Sequence, residues 1–135
     1  MYALSLKQPW ATLLAHGVKT VEVRKWPTAR RGRILIHAAK VPDERPEVWA
    51  RVPEGLRQEA QLLGGIVGAG DLMQCVAYRT VEKFLLDQQR HLNEAAWFEP
   101  PALYGFVFSN LTVLPFQACP GWMRFFQVDL PSPSQ

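Results

Sequence analysis

The sequence predicts a single α+β domain, a small mixed β-barrel with a few short helices. Three observations predict it. Several short stretches alternate apolar and polar residues with the period of two that marks half-buried strands. A later strand is broken by Gly65, Gly68 and Gly70, three glycines in six residues, which marks a bent barrel strand or a close approach by another backbone or a ligand. A few helical segments lie between the strands, and the first of them is too short to be stable without packing. At 135 residues, 48% of them apolar, the chain is of single-domain size and able to bury a core. The predicted domain covers 1–130, with PSPSQ at 131–135 as a loose tail.

Taken in order, Leu4 and Leu6 alternate with Ser5 and Lys7 in a first strand. Pro9 then opens a helix over 9–16, since proline at the first helical position has its φ preset and loses no needed donor. Trp10, Leu13, Leu14 and Gly17 fall on one face of it; Gln8, Thr12 and His16 fall on another. Gly17 ends the helix, because the residue past a helix end commonly adopts a left-handed conformation. The second strand, 20–24, turns Val21 and Val23 one way and Thr20, Glu22 and Arg24 the other. Ile34, Leu35 and Ile36 in succession predict a third strand covered on both faces, with a packed or hydrogen-bonded His37 at its end. Residues 42–63 read as two short helical segments interrupted at Pro53, with Trp49 as a core or lid contact. After the glycine-broken strand at 65–76 comes a helix over 81–95, on which His91 is expected to be solvated rather than a metal ligand. An aromatic loop containing Trp97 and Phe98 leads into a strand at 104–108, and a Pro120-Gly121 turn leads into a last strand at 124–130.

The charge is lopsided. Residues 4–40 contain eight Lys or Arg and a single acid, Glu22, for a net charge of +7, whereas the rest of the chain sums to −4. A total of +3 therefore conceals a strongly basic face on a mildly acidic body. Such asymmetry suits a polyanion-binding surface, since Lys and Arg supply most nucleic-acid affinity by neutralising phosphates. It also suits a merely solvated charged face, and composition alone does not choose. Lys19 at the entrance of the second strand and Arg24 within it flank Glu22 and favour its ionised form; taken alone, the three side chains read first as a surface salt bridge.

Other classes find no support. The glycines at 65–70 have neither Walker nor dinucleotide spacing. Cys75 and Cys119 lack metal-ligand spacing and read as buried free thiols of a reducing compartment, so no metal and no cofactor is expected. No charged-then-apolar leader and no run of about 18 apolar residues is present, so the expectation is a cytoplasmic protein with no membrane partner.

The run LSLKQPWATLLAHGVKTVEVRKW followed by RGRILIHAAK resembles the ASCH (activating signal cointegrator homology) domain, a branch of the PUA-like superfamily. Its hallmark G-x-K-x-x-E-x-R is present in full as Gly17, Lys19, Glu22 and Arg24. Further likeness lies in the Gln8-Pro9-Trp10 triplet, in His37-Ala38, in 64–75, in 104–116 and in 125–130. The resemblance sharpens the fold to a PUA-like small β-barrel with short helices closing its ends, and implies a cleft bordered by the first helix and second strand. It places Lys7, Gln8, Trp10, Lys19, Glu22 and Arg24 at or near that cleft, with Trp26, Arg30, Arg31, Arg33 and Lys40 as its rim. The expected ligand is RNA, another single-stranded nucleic acid or a nucleotide-like small molecule. Lys and Arg would hold phosphates, Trp26 or Trp10 would stack a base, and Glu22 would accept from a base edge. The spacing of Trp10 fits a plain core residue better than a stacking one; Trp26 has no such periodic role and is the better stacking candidate.

The resemblance also implies an alternative, a small hydrolase acting on acylated nucleosides or cleaving RNA. Amidohydrolase relatives use a threonine nucleophile with the motif lysine and a carboxylate. Here the lysine is Lys19, but the nucleophile's strand position holds Glu22, and Thr20 sits two residues early, about 6 to 7 Å along a strand. A cluster of Lys19, Glu22 and Asp71 activating water is the remaining catalytic arrangement.

Overall fold

A computed structural model describes residues 1–129. The final strand's end at Leu130 and the tail at 131–135 lie outside the described residues. The strands are β1 (Tyr2–Leu6), β2 (Val21–Arg24), β3 (Gly32–Ala38), β4 (Gly65–Tyr78), β5 (Leu103–Ala118) and β6 (Phe125–Gln127). The α-helices are α1 (Trp10–Ala15), α2 (Pro46–Trp49), α3 (Val81–Leu86) and α4 (Gln88–His91), joined by short 3-10 turns at Glu54–Leu56, Glu59–Gln61 and Ala95–Trp97.

All six strands form one mixed sheet in the order β2-β5-β4-β3-β1-β6, with β1 and β3 parallel and every other pair antiparallel. The fold class is therefore α+β, but the expected barrel is not closed by backbone pairing. The sheet curls far enough to bring its two ends together: Arg24 of β2 reaches the Ser5 carbonyl of β1, and Trp26 beyond β2 packs on Phe125 of β6. The edge strands have only four and three residues, too few to pair across the gap, and side chains span it instead.

β4 and β5 are much longer than expected, at 14 and 16 residues. Their pairing shifts register at three places, and each shift bends the ribbon. The strand at 104–108 continues through Asn110, whose φ of 49° a short polar side chain tolerates, and past Pro115. Gly68 explains part of the glycine pattern. A Cβ there would lie 2.7 Å from the Ala15 Cβ and 2.7 Å from the Thr112 carbonyl oxygen, so α1 rests directly on the β4 backbone.

α1 departs in part from its expected polar face: Gln8 and Thr12 are buried, while His16 at its end is exposed. Trp10, Leu13 and Leu14 enter the main core with Leu4, Leu6, Ile34, Ile36 and Phe106, while the segment around 59–62 covers the opposite side. Gly17 has the expected left-handed conformation, φ 73°, just beyond the helix. The helix expected over 81–95 breaks into α3 and α4 and ends at Leu92, φ 62°. That break folds His91 inward. It is fully buried, stacked on Phe84 at 4.2 Å, donating Nε2–H to the Phe84 carbonyl and accepting the Asn93 amide at Nδ1. Solvation was the wrong expectation for it, because the turn back toward the sheet reverses the face it presents.

Candidate nucleic-acid interface

The motif residues stand together, most of them inside the protein. Gly17 turns the chain out of α1, and Lys19 then points back beneath the helix with 1% of its surface exposed. Its Nζ donates to Glu22 Oε1 at 2.7 Å and lies 4.2 Å from the centre of the Trp10 ring. Glu22, 8% exposed, also accepts from Arg24 Nε at 3.1 Å, and Arg24 Nη2 donates to the Ser5 carbonyl at 2.8 Å. Burial pushes the Lys19 amine below its ordinary pKa, against the pull of Glu22. Burial would raise the Glu22 carboxyl, but the charges and hydrogen bonds of Lys19 and Arg24 outweigh it and hold the carboxyl ionised, below its ordinary value. The carboxylate thus works as an internal clasp between α1, β2 and, through Arg24, β1.

A second polar knot adjoins the first. Asp43, on the loop before α2, accepts Trp10 Nε1–H at 3.1 Å, Arg45 Nη2 at 2.7 Å, and both Arg45 Nε and the Arg45 amide at 3.0 Å. Burial would raise its pKa, yet the Arg45 hydrogen bonds, the Trp10 donor and the Arg45 charge together hold it at about 2. Arg45 then lies over Trp97, 4.0 Å from the ring centre, and Trp10 meets Trp97 edge-on at 6.5 Å. The carboxylate of Asp43 therefore positions an arginine on an indole at the surface.

Between these knots opens a cleft of about 560 Å³, lined by Arg24, Trp26, Arg45, Asn93 and Trp97, with Lys25 and Glu99 paired at its lip. Trp26 closes one side and Trp97 the other, and each indole carries a guanidinium on its ring, Arg124 at 4.7 Å and Arg45 at 4.0 Å. The volume falls within the range of small-ligand sites, and the flat aromatic and guanidinium surfaces suit a stacked base.

The predicted residues separate into those the fold brings to this cleft and those it does not. Arg24 and Trp26 line it. Lys19, Glu22 and Trp10 lie beneath, and both Glu22 oxygens are already engaged by cations, so the lining stops at Arg24. Gln8 is fully buried: it accepts the Thr12 amide and donates to the carbonyls of Leu62 and Glu59, tying α1 to the covering segment. Lys7 is exposed at the entrance to α1. Arg30 and Arg31 line a neighbouring pocket, and Lys40 a third one beside His37. Arg33 is held elsewhere, by Asp71, the Asn110 carbonyl and Thr112.

Asp71 does not join Lys19 and Glu22. It pairs opposite Ser109, whereas Glu22 pairs opposite Phe106, about 10 Å back along the same strand, and its partners are Arg33 and Asn110. The three-residue catalytic cluster is thus not assembled. Among the described residues there is no group of three or more His, Cys, Asp or Glu that could hold a metal, and no helix long and apolar enough to cross a membrane. The two cysteines are free and half-buried. The sequence reading missed Asp43, Arg45 and Trp97; PDERP offers no periodic signal, and only the fold brings Arg45 to an indole 52 positions later.

Fold and cleft define a small α+β domain with an arginine-edged, aromatic-walled surface cleft above a buried ion cluster. The ASCH domain model matches residues 4–111, and the chain belongs to that family. It is 36% identical over 90 residues to Activating signal cointegrator 1 of Mus musculus, covering 61% of this chain and 16% of that protein. The corresponding protein of Homo sapiens is 37% identical over 86 residues, covering 58% and 15%. The chain thus matches about a sixth of the length of these relatives. Among solved structures, ASCH from Zymomonas mobilis superposes with a TM-score of 0.65 at 16% identity, over 95% of this chain and 87% of that one. A mutant form of the same protein gives 0.61 at 18% identity, over 87% and 72%. At such identities these structures speak for the fold alone.

Proposed function

We propose that the domain is a nucleic-acid-binding module for RNA or another single-stranded nucleic acid, with a base held in the cleft and phosphates on its basic rim. One observation carries this reading: Arg24, Arg45, Trp26 and Trp97 converge on a single cleft, with both indoles bearing a stacked guanidinium. Bases stack on aromatic and guanidinium planes alike, and the rim arginines Arg30 and Arg31, with no carboxylate partner among the described residues, offer N–H donors to phosphate oxygens. Lys7, Arg30, Arg31 and Lys40 extend the positive field around it. Two free thiols suit a reducing compartment such as the cytoplasm. Family membership supports the same class, since the stretch that carries the basic charge lies within the matched residues.

Fluorescence anisotropy with a labelled single-stranded RNA, titrated from low to physiological salt, tests the proposal. Affinity is expected to fall steeply with salt, and a nearly flat salt dependence would exclude it. Nothing in the described residues favours the hydrolase alternative. Lys19 is sealed under Trp10, Thr20 is offset from the nucleophile position, and Asp71 serves Arg33. Turnover of an acylated nucleoside or a short RNA by the wild type, lost in Lys19→Ala, would reverse that preference.

A further inference from the structure

Beside the cleft, and sharing Trp26 with it, lies a second pocket of about 550 Å³ lined by Thr28, Arg30, Arg31, Arg124 and Phe125. Its three arginines differ from most of those elsewhere. Arg24, Arg33, Arg45, Arg51 and Arg90 each have a carboxylate within ion-pair distance, whereas none is found for Arg30, Arg31 or Arg124 among the described residues. They are nevertheless held in place. The Arg30 guanidinium lies over the Tyr2 ring at 3.7 Å, and the Arg30 amide donates to Thr28 Oγ1. Arg31 Nη1 donates to the carbonyls of Thr28 and Arg30. Arg124, which adopts φ 56°, lies on Trp26. Ring and carbonyl contacts order these cations without neutralising their charge, which leaves them able to attract an anion.

We propose that this pocket is a phosphate seat for the nucleotide adjoining the one in the cleft, so that a single strand crosses Trp26 from the cleft into the arginine pocket. The assignment rests on the binding function proposed above and adds to it a path and a second subsite. Arg124, far from the basic stretch in sequence, becomes a binding residue through this placement.

Binding of single-stranded oligonucleotides one to six nucleotides long to the wild type and to an Arg30→Gln, Arg31→Gln, Arg124→Gln triple variant tests it. In the wild type, affinity should rise sharply once the strand is long enough to reach the pocket. The triple variant should lose at least about tenfold for a tetranucleotide, reflecting charged hydrogen bonds removed, with its salt slope shallower by about 0.7 per phosphate released. Its loss should be clearly smaller for a mononucleotide than for a tetranucleotide, and an unchanged melting temperature confirms folding. In the wild type, the Arg30, Arg31 and Arg124 Nε–H NMR signals should shift with the tetranucleotide.

Tetranucleotide binding equal in variant and wild type, or side-chain signals that stay still, would overturn the seat while leaving the cleft reading intact. Equal affinity for a polyglutamate peptide of matched charge would overturn it by showing charge attraction alone. No binding of any oligonucleotide by the wild type would overturn both.

Discussion

Lys19 and Arg30 belong to one basic stretch, yet the fold puts them to opposite uses. Lys19 is buried, and its charge is absorbed by Glu22 and the face of Trp10. Arg30 is half-buried, and its guanidinium rests on Tyr2 with no carboxylate in reach among the described residues. A cation already engaged inside is structural, whereas a cation held in place but left uncompensated is available to an anion. A count of positive charge along the sequence adds the two kinds together; the contacts separate them.

The largest expected effect breaks the buried side of the comparison. Glu22→Ala leaves Lys19 buried without its counter-charge and should cost about 3 to 5 kcal/mol in chemical denaturation. The double variant Lys19→Met, Glu22→Gln should cost clearly less than the sum of its single changes; additivity would mean that the two side chains do not act as a pair. Gly68→Ala presses a methyl group onto Ala15 and the Thr112 carbonyl, and should cost about 1 to 3 kcal/mol, read from the same denaturation curves.

On the open side, Trp97→Ala should weaken single-stranded RNA binding by about 1 to 3 kcal/mol while leaving the salt slope nearly unchanged, because a stacking surface is lost and no cation is removed. A changed slope with unchanged affinity would give Trp97 no stacking role. Lys25→Ala, which removes an exposed pair with Glu99, should leave the melting temperature within error.

His91 adds a pH dependence to the buried set. Burial pushes its pKa below the ordinary value of about 6.5, so the unfolded chain takes up a proton before the folded one does. Its contribution is fully present above about pH 6.5 and declines as the pH falls below that, by at most about 1.4 kcal/mol per pH unit. Melting temperatures between pH 8 and 5 should show the decline in the wild type, with a smaller one in His91→Gln. Equal slopes would remove His91 from the account.

By itself the sequence determined the mixed α+β class, the helix stop at Gly17, the bent strand around Gly68 and the association of Lys19, Glu22 and Arg24. Each follows from spacing over a few residues: alternation, a left-handed turn position, a missing Cβ, charges one turn or one strand pleat apart. Tertiary structure decided what lies between distant segments. It buried Gln8 and Thr12 of the polar side of α1 under the chain around 59–62, carried β4 and β5 past their apparent ends, and turned His91 inward. It left the sheet open where a barrel was expected, because two very short edge strands meet through Arg24 and Trp26 rather than through backbone bonds. It also set Arg45 on Trp97 and Arg124 on Trp26, joining residues 52 and 98 positions apart. Local pattern fixes which way a side chain points along its own strand or helix. What that side chain meets depends on the packing of segments remote in the chain, and the cleft is made of such meetings.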